Sequence, residues 1–193
     1  VPDAGFRICP YRGLLVFREE DSAFFFGRDR YREDVMLLVR KYPIVAVTGA
    51  SGSGKSSLVR AGLVPALRRV KQEGAWDMVT MIPRINPLHS LAEAFQTLVE
   101  PEETNAEQMS VSINRRTRNL EARDQHLFDL VSISLKKQPG TTRLLLIVDQ
   151  WEELYTQCDN KDLRQTFIAE ILDATARLPD SFRVVLTVRW DFY

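Results

Sequence analysis

The chain has little of what marks several protein classes. Its two cysteines, Cys9 and Cys158, lie far apart without CxxC or Cys/His ligand spacing, so neither a disulfide framework nor a cysteine zinc site organises the fold. Two buried or idle thiols are the expectation. The two histidines, His89 and His126, have no partner ligand at metal-binding spacing and read as surface or core-edge residues of their helices. Charge of one sign is missing too: 26 Lys plus Arg balance 26 Asp plus Glu, so no long-range field draws the molecule to nucleic acid or an anionic membrane. No apolar run is long enough to cross a bilayer, the N-terminus does not read as a signal peptide, and no repeat or low-complexity tract is present. These absences predict a reduced, cytoplasmic protein with neither a membrane nor a nucleic-acid partner.

What is there suits a core. With 45% apolar residues the chain can fold as one globular unit. Residues 1–28 mix prolines, glycines and aromatics without a period, which predicts an ordered lead-in segment packing on a core of residues 29–193. The spacing of Tyr31, Val35, Leu38 and Val39 predicts a helix over 29–41 that Pro43 stops. Short aliphatic runs at 44–48, 76–84, 143–149 and 183–189 predict strands. Helical spacing is read over 55–60, 87–99, 115–137 and 163–178, with Pro65 ending or restarting the first of these and a loop over 100–113. Strands alternating with helices predict an α/β fold of three layers around a mostly parallel sheet.

The stretch "IVAVTGASGSGKSSLVRAG" (44–62) contains G-x-x-x-x-G-K-[ST] as Gly49, Ala50, Ser51, Gly52, Ser53, Gly54, Lys55 and Ser56. It lies between a predicted strand and a predicted helix, as a phosphate-binding loop requires. The glycines let successive backbone N–H groups converge on an anion, and the helix adds the positive end of its dipole. Lys55 would bridge β- and γ-phosphates and Ser56 would put its hydroxyl on Mg²⁺, with Ser57 beside the site. A Mg²⁺–triphosphate also needs an acid on a neighbouring strand end, and "LLLIVD" delivers Asp149 as a Walker B strand does. The next position, where many such enzymes place the water-polarising glutamate, is Gln150. Glu152 and Glu153 follow, and either reaches an attacking water if the backbone turns after the strand; Glu152 is preferred. Arg189 ends the last predicted strand. If that strand lies between those of Lys55 and Asp149, in the order 1-4-3-2, Arg189 stands beside the γ-phosphate.

Together with "CPYRGLLVFREEDSAFFFGRDR" upstream, "GASGSGKSSLVRAGLVPAL", "VDQWEEL" and "VRWDFY" resemble the novel STAND NTPase family, which belongs to the signal transduction ATPases with numerous domains. The resemblance covers nearly the whole chain. It implies a P-loop core with a fifth strand beyond the chain end, ATP and Mg²⁺ as ligands, and adenine preference. It further implies that Arg28 of "FFGR" lies near the base or ribose, and that Arg189 with Asp191 forms a sensor segment. The family often has an acidic residue three positions after that arginine, where this chain has Tyr31. Family members continue into helical, winged-helix and repeat-built sensor modules, so the 193 residues read as a fragment of a larger protein. In that protein ATP or ADP would control self-association in response to an unidentified signal.

Other classes fit less well. A GTPase would need N-K-x-D, and "NKDL" (160–163) has Leu163 where the aspartate belongs. A small-molecule P-loop kinase would want an arginine-rich lid, and the cluster Arg115, Arg116, Arg118 and Arg123, interrupted by Glu121 and Asp124, reads better as a solvated helix face. A scaffold that binds nucleotide without hydrolysing it is the non-enzymatic alternative, which Gln150 favours.

Overall fold

The computed structural model describes residues 17–24, 27–70, 74–102 and 105–192. "CPYRGL", Cys9 and most of the lead-in segment lie outside the described residues. Four strands form one parallel sheet: β1 (Ile44–Gly49), β2 (Ala75–Met81), β3 (Thr141–Val148) and β4 (Phe182–Arg189), in the order β1-β4-β3-β2. This is the expected order, and it sets the C-terminal ends of β1, β4 and β3 side by side.

Burial on both faces explains the composition of the strands. Leu144 to Val148 are all 0% exposed, as the central strand of a covered parallel sheet requires. Alternate residues feed two cores. On one face Leu144, Leu146, Val148, Val79 and Val184 pack with Phe95, Leu120, Leu130 and Phe167. On the other, Leu145, Ile147, Val45 and Val185 meet Val39, Val59, Leu63 and Leu67. The result is three layers. The first face is covered by α4 (Pro87–Ala94), α5 (Gln96–Val99), α6 (Ala106–Ala122), α7 (Leu127–Lys137), α8 (Glu153–Thr156) and α9 (Lys161–Arg177). The second is covered by α1 (Asp29–Lys41) and by a helical rod made of α2 (Lys55–Ser57), a π-helical segment (Leu58–Leu63) and α3 (Val64–Arg69).

Three expectations need correction. The helix after the glycine loop does not end near Arg60: it continues through the π-helical segment, and of the two readings of Pro65 the restart holds, since α3 begins at Val64. Val64 N–H bonds back five residues to Val59 C=O, and Pro65 stands in the first turn of α3, where its missing N–H is not needed. The helix expected over 115–137 is two helices, and most of the loop expected over 100–113 is helical. Asn105 Oδ1 caps α6 by accepting from Glu107 N–H at 2.8 Å, Arg123 closes it in the left-handed region at φ 62°, and Asp129 accepts from His126 N–H at 2.9 Å to start α7. Finally, Arg116 is not part of a solvated face: it is 4% exposed. It donates to Gln96 Oε1 at 2.6 Å and pairs with Glu100 at 3.1 Å.

Smaller readings resolve in the same way. "NKDL" is the start of α9, with Asn160 Oδ1 accepting from Asp162 and Leu163 N–H. His89 meets Thr117 Oγ1, and His126 meets the buried carboxylate of Glu170. Cys158 is buried and free. Among the described residues no helix is long and apolar enough to cross a membrane.

Candidate nucleotide site

β1 runs apolar to Thr48 and then releases the chain into glycines. Gly52 and Gly54 sit at φ +71° and +84°, and a Cβ on Gly49 would lie 2.8 Å from Ser53 Oγ, so this turn excludes side chains at its tight points. Ser53 N–H donates to Ala50 C=O at 3.2 Å, while Ala50, Ser51 and Gly52 form an exposed arc. Lys55 Nζ donates to the carbonyls of Gly49 and Ala50 at 2.9 and 2.8 Å, which lays its ammonium across the loop. The guanidinium of Arg28 lies over the same loop, 3.7 Å from where a Cβ on Gly54 would stand.

Asp149 follows β3 and is 3% exposed. Its Oδ1 accepts from Ser56 Oγ at 2.7 Å and from Thr187 Oγ1 at 2.6 Å, and its Oδ2 pairs with Arg60 Nη2 at 2.8 Å. A buried carboxylate needs such partners. Ser56 and Arg60 are four residues apart on the rod, so both point at the end of β3. Ser57, by contrast, is turned into the protein, where its Oγ accepts from Phe17 N–H at 3.2 Å.

Beyond Asp149 the chain turns sharply because Gln150 is in the left-handed region at φ 56°. Thr187 holds that turn: its Oγ1 accepts from Gln150 N–H at 2.9 Å and its carbonyl from Trp151 N–H at 2.9 Å. The two glutamates that follow differ in setting. Glu152 is 8% exposed and accepts from Arg189 N–H at 3.2 Å, on the β4 side of Asp149. Glu153 lies in the fields of Arg84, Glu152 and Asp149. Burial first, then the charges of Glu152 and Asp149, push its carboxyl above the usual glutamate value against the pull of Arg84.

Arg189 pairs in register with Gly49 across β1 and β4, so the last residue of β4 stands level with the first glycine of the loop. Its guanidinium is held by Asp191, Nη2 to Oδ2 at 2.7 Å and Nε to Oδ1 at 3.2 Å, and lies over the Phe192 ring. The slight burial of Asp191 raises its carboxyl, but hydrogen bonding from Arg189, with the charges of Arg189 and Lys55, holds it below the usual aspartate value.

The structure thus gathers Gly49 to Ser56, Arg28, Asp149, Glu152 and Arg189 at one end of the sheet, with Glu153 next to Glu152 in the fields of Glu152 and Asp149. Reading the sequence missed Arg60 and Thr187. Thr187 left one trace, a lone hydroxyl in the otherwise apolar strand "VVLTV"; Arg60 left only its four-residue spacing from Ser56. Among the described residues no group of three or more His, Cys, Asp or Glu gathers for a metal. Ser56 and Asp149 are the residues that could hold a hard cation such as Mg²⁺, whose remaining ligands would be phosphate and water.

Comparison with known proteins follows the same line. The family model described as Novel STAND NTPase 1 matches residues 10–193. The DNA translocase FtsK of Bacillus cereus is 27% identical over 152 residues, which cover 70% of this chain and 19% of that protein. The chain therefore spans about a fifth of the length of the curated relative it matches. No solved structure matches the chain.

Proposed function

The chain belongs to the Novel STAND NTPase 1 family, and from that premise we propose that this NTPase domain is the Mg²⁺–ATP-binding switch of a cytoplasmic signalling protein whose nucleotide state controls its assembly. The observation that carries this reading is the register of Arg189 opposite Gly49. It sets an arginine at the mouth of a phosphate cradle, one strand from the acid Asp149, where a γ-phosphate is felt by its presence or absence.

The residues fit the ligands. Gly49 to Ser56 wrap the phosphates with backbone N–H groups, Lys55 contributes its charge, and Arg28 over Gly54 lies toward the nucleoside. Ser56 and Asp149 offer hard oxygen donors for Mg²⁺. Held by Ser56 and Asp149, such an ion would supply positive charge to offset the negative charge of the triphosphate. Glu152 is the carboxylate assigned to accept a proton from the attacking water, because it leans toward β4 and hence the cradle. A ligand shifts a two-state equilibrium only by its differential affinity, and Arg189 is the group that distinguishes ATP from ADP.

The test combines calorimetry with ATP and GTP in Mg²⁺ and light scattering of the full-length protein with a non-hydrolysable ATP analogue and its signal. ATP preference and analogue-dependent growth in mass support the reading. Tighter GTP binding refutes the adenine assignment, and a particle that stays monomeric refutes control of assembly.

A further inference from the structure

Asp149 has a cation of the chain itself beside it. Its Oδ1 is saturated by the Ser56 and Thr187 hydroxyls at 2.7 and 2.6 Å, which leaves Oδ2 as the oxygen free to meet a cation, and Arg60 Nη2 occupies it at 2.8 Å. We propose that Arg60 is the built-in counter-ion of Asp149 in the nucleotide-free protein, and that a divalent cation binds productively only by taking over this charge. The inference rests on the nucleotide-site reading above and adds a residue that sets how much Mg²⁺ the site demands.

The pairing looks built to be released. Arg60 engages end-on through one nitrogen, and its Nε is buried with no hydrogen-bond partner among the described residues, so the guanidinium does not gain the two parallel bonds of a forked arginine–carboxylate pair. The side chain is 30% exposed against 4% for Asp149. It lines a cleft of about 400 Å³ with Thr80, Arg84, Ser90 and Glu93, and this cleft gives the guanidinium room to withdraw without unfolding anything. Its backbone lies in the π-helical segment, one turn beyond Ser56, so the hydroxyl offered to the metal and the cation that opposes it share one rigid rod. A single charge on Asp149 cannot serve both cations at full strength: while Arg60 stays, the carboxylate attracts Mg²⁺ as a neutral pair does.

The experiment compares wild type, Arg60→Met and Arg60→Lys. Calorimetry at fixed ATP and varied Mg²⁺ gives the half-saturating Mg²⁺ concentration, and thermal unfolding is followed in EDTA and with Mg²⁺ alone. Arg60→Met is expected to lower the half-saturating Mg²⁺ at least tenfold. It should also melt below wild type in EDTA and regain most of the difference when Mg²⁺ alone is added. Arg60→Lys, which keeps a cation but not its reach, should fall between and keeps the test open if the methionine variant does not fold. An unchanged or raised Mg²⁺ requirement in both variants overturns the inference, as does a melting loss that Mg²⁺ does not repair. Failure of the wild type to bind Mg²⁺–ATP would instead sink the nucleotide reading itself, so the two are separable.

Discussion

Thr187→Val tests whether the turn after β3 depends on one buried hydroxyl. Valine keeps the shape and the β-branch of threonine, so the strand and its 1% exposure are preserved and only polarity is lost. Two bonds go with it. The donor to the Asp149 carboxylate at 2.6 Å is charge-assisted and contributes about 1.5–3 kcal/mol. The acceptor for Gln150 N–H at 2.9 Å leaves an amide unpaired. Gln150 is exposed and water reaches it, so that loss stays near the low end, about 1 kcal/mol. The sum is about 3 kcal/mol, and at roughly 2–4 °C per kcal/mol for a chain of this size the melting temperature should fall by about 6–12 °C. Calorimetric unfolding of Thr187→Val beside Thr187→Ser separates the causes. The serine keeps the hydroxyl and loses one methyl group, about 0.8 kcal/mol or ~2–3 °C. Because the turn also aims Glu152, ATP hydrolysis should drop in the valine variant and not in the serine one. A valine variant that melts within 2–3 °C of wild type, or a serine variant that loses as much, would refute the reasoning.

Gly54→Ala should cost about 1–2 kcal/mol for placing a Cβ at φ +84° and weaken nucleotide binding by straining the loop; an alanine variant with wild-type melting and affinity counts against the left-handed turn. Asp191→Asn removes the partner that holds the Arg189 guanidinium, so the ratio of ATP to ADP affinity measured by calorimetry should rise, and an unchanged ratio shows that the pair does not restrain the arginine. Glu100 binds the buried Arg116 while itself 24% exposed. Its own burial raises its carboxyl, but hydrogen bonds from Gln96, Ser112 and Arg116 and the charge of Arg116 hold it below the usual value. The stability it adds is therefore present above the free-glutamate value of about 4.3 and lost as pH falls through the lowered native value. Glu100→Gln should cost about 2–3 kcal/mol at pH 7, less than a fully buried pair. It should also flatten denaturant-measured stability between about pH 3 and 5, and a variant with the wild-type acid slope would contradict the assignment.

The order of strands and helices, the glycine cradle and the acid after an apolar strand were legible because each is written in local signals. Period decides strand against helix, glycine marks the left-handed turn, and an aspartate closing five aliphatic residues marks a strand end. The breaks that were missed lie where local signals are weak or misleading. The α6–α7 boundary depends on Arg123 in a left-handed conformation that arginine seldom takes, and the run through Pro65 depends on a π turn that no periodicity announces.

By itself the sequence determined the glycine loop, the aspartate after an apolar strand and the β-strand ends that carry them, since these depend on residues adjacent in the chain. Only the tertiary structure decided which distant groups meet there. Inserting β4 between β1 and β3 sets Arg189 level with Gly49 and brings Thr187 onto Asp149, 38 residues away in sequence. The rod's passage behind β3 brings Arg60 onto the same carboxylate from 89 residues away. The turn at Gln150 sends Glu152 toward β4, where it accepts from Arg189 N–H, a placement that two adjacent identical letters do not reveal. The physical reason is that side-chain partnership depends on strand order and register, which long-range packing sets, while the chain itself records only neighbours.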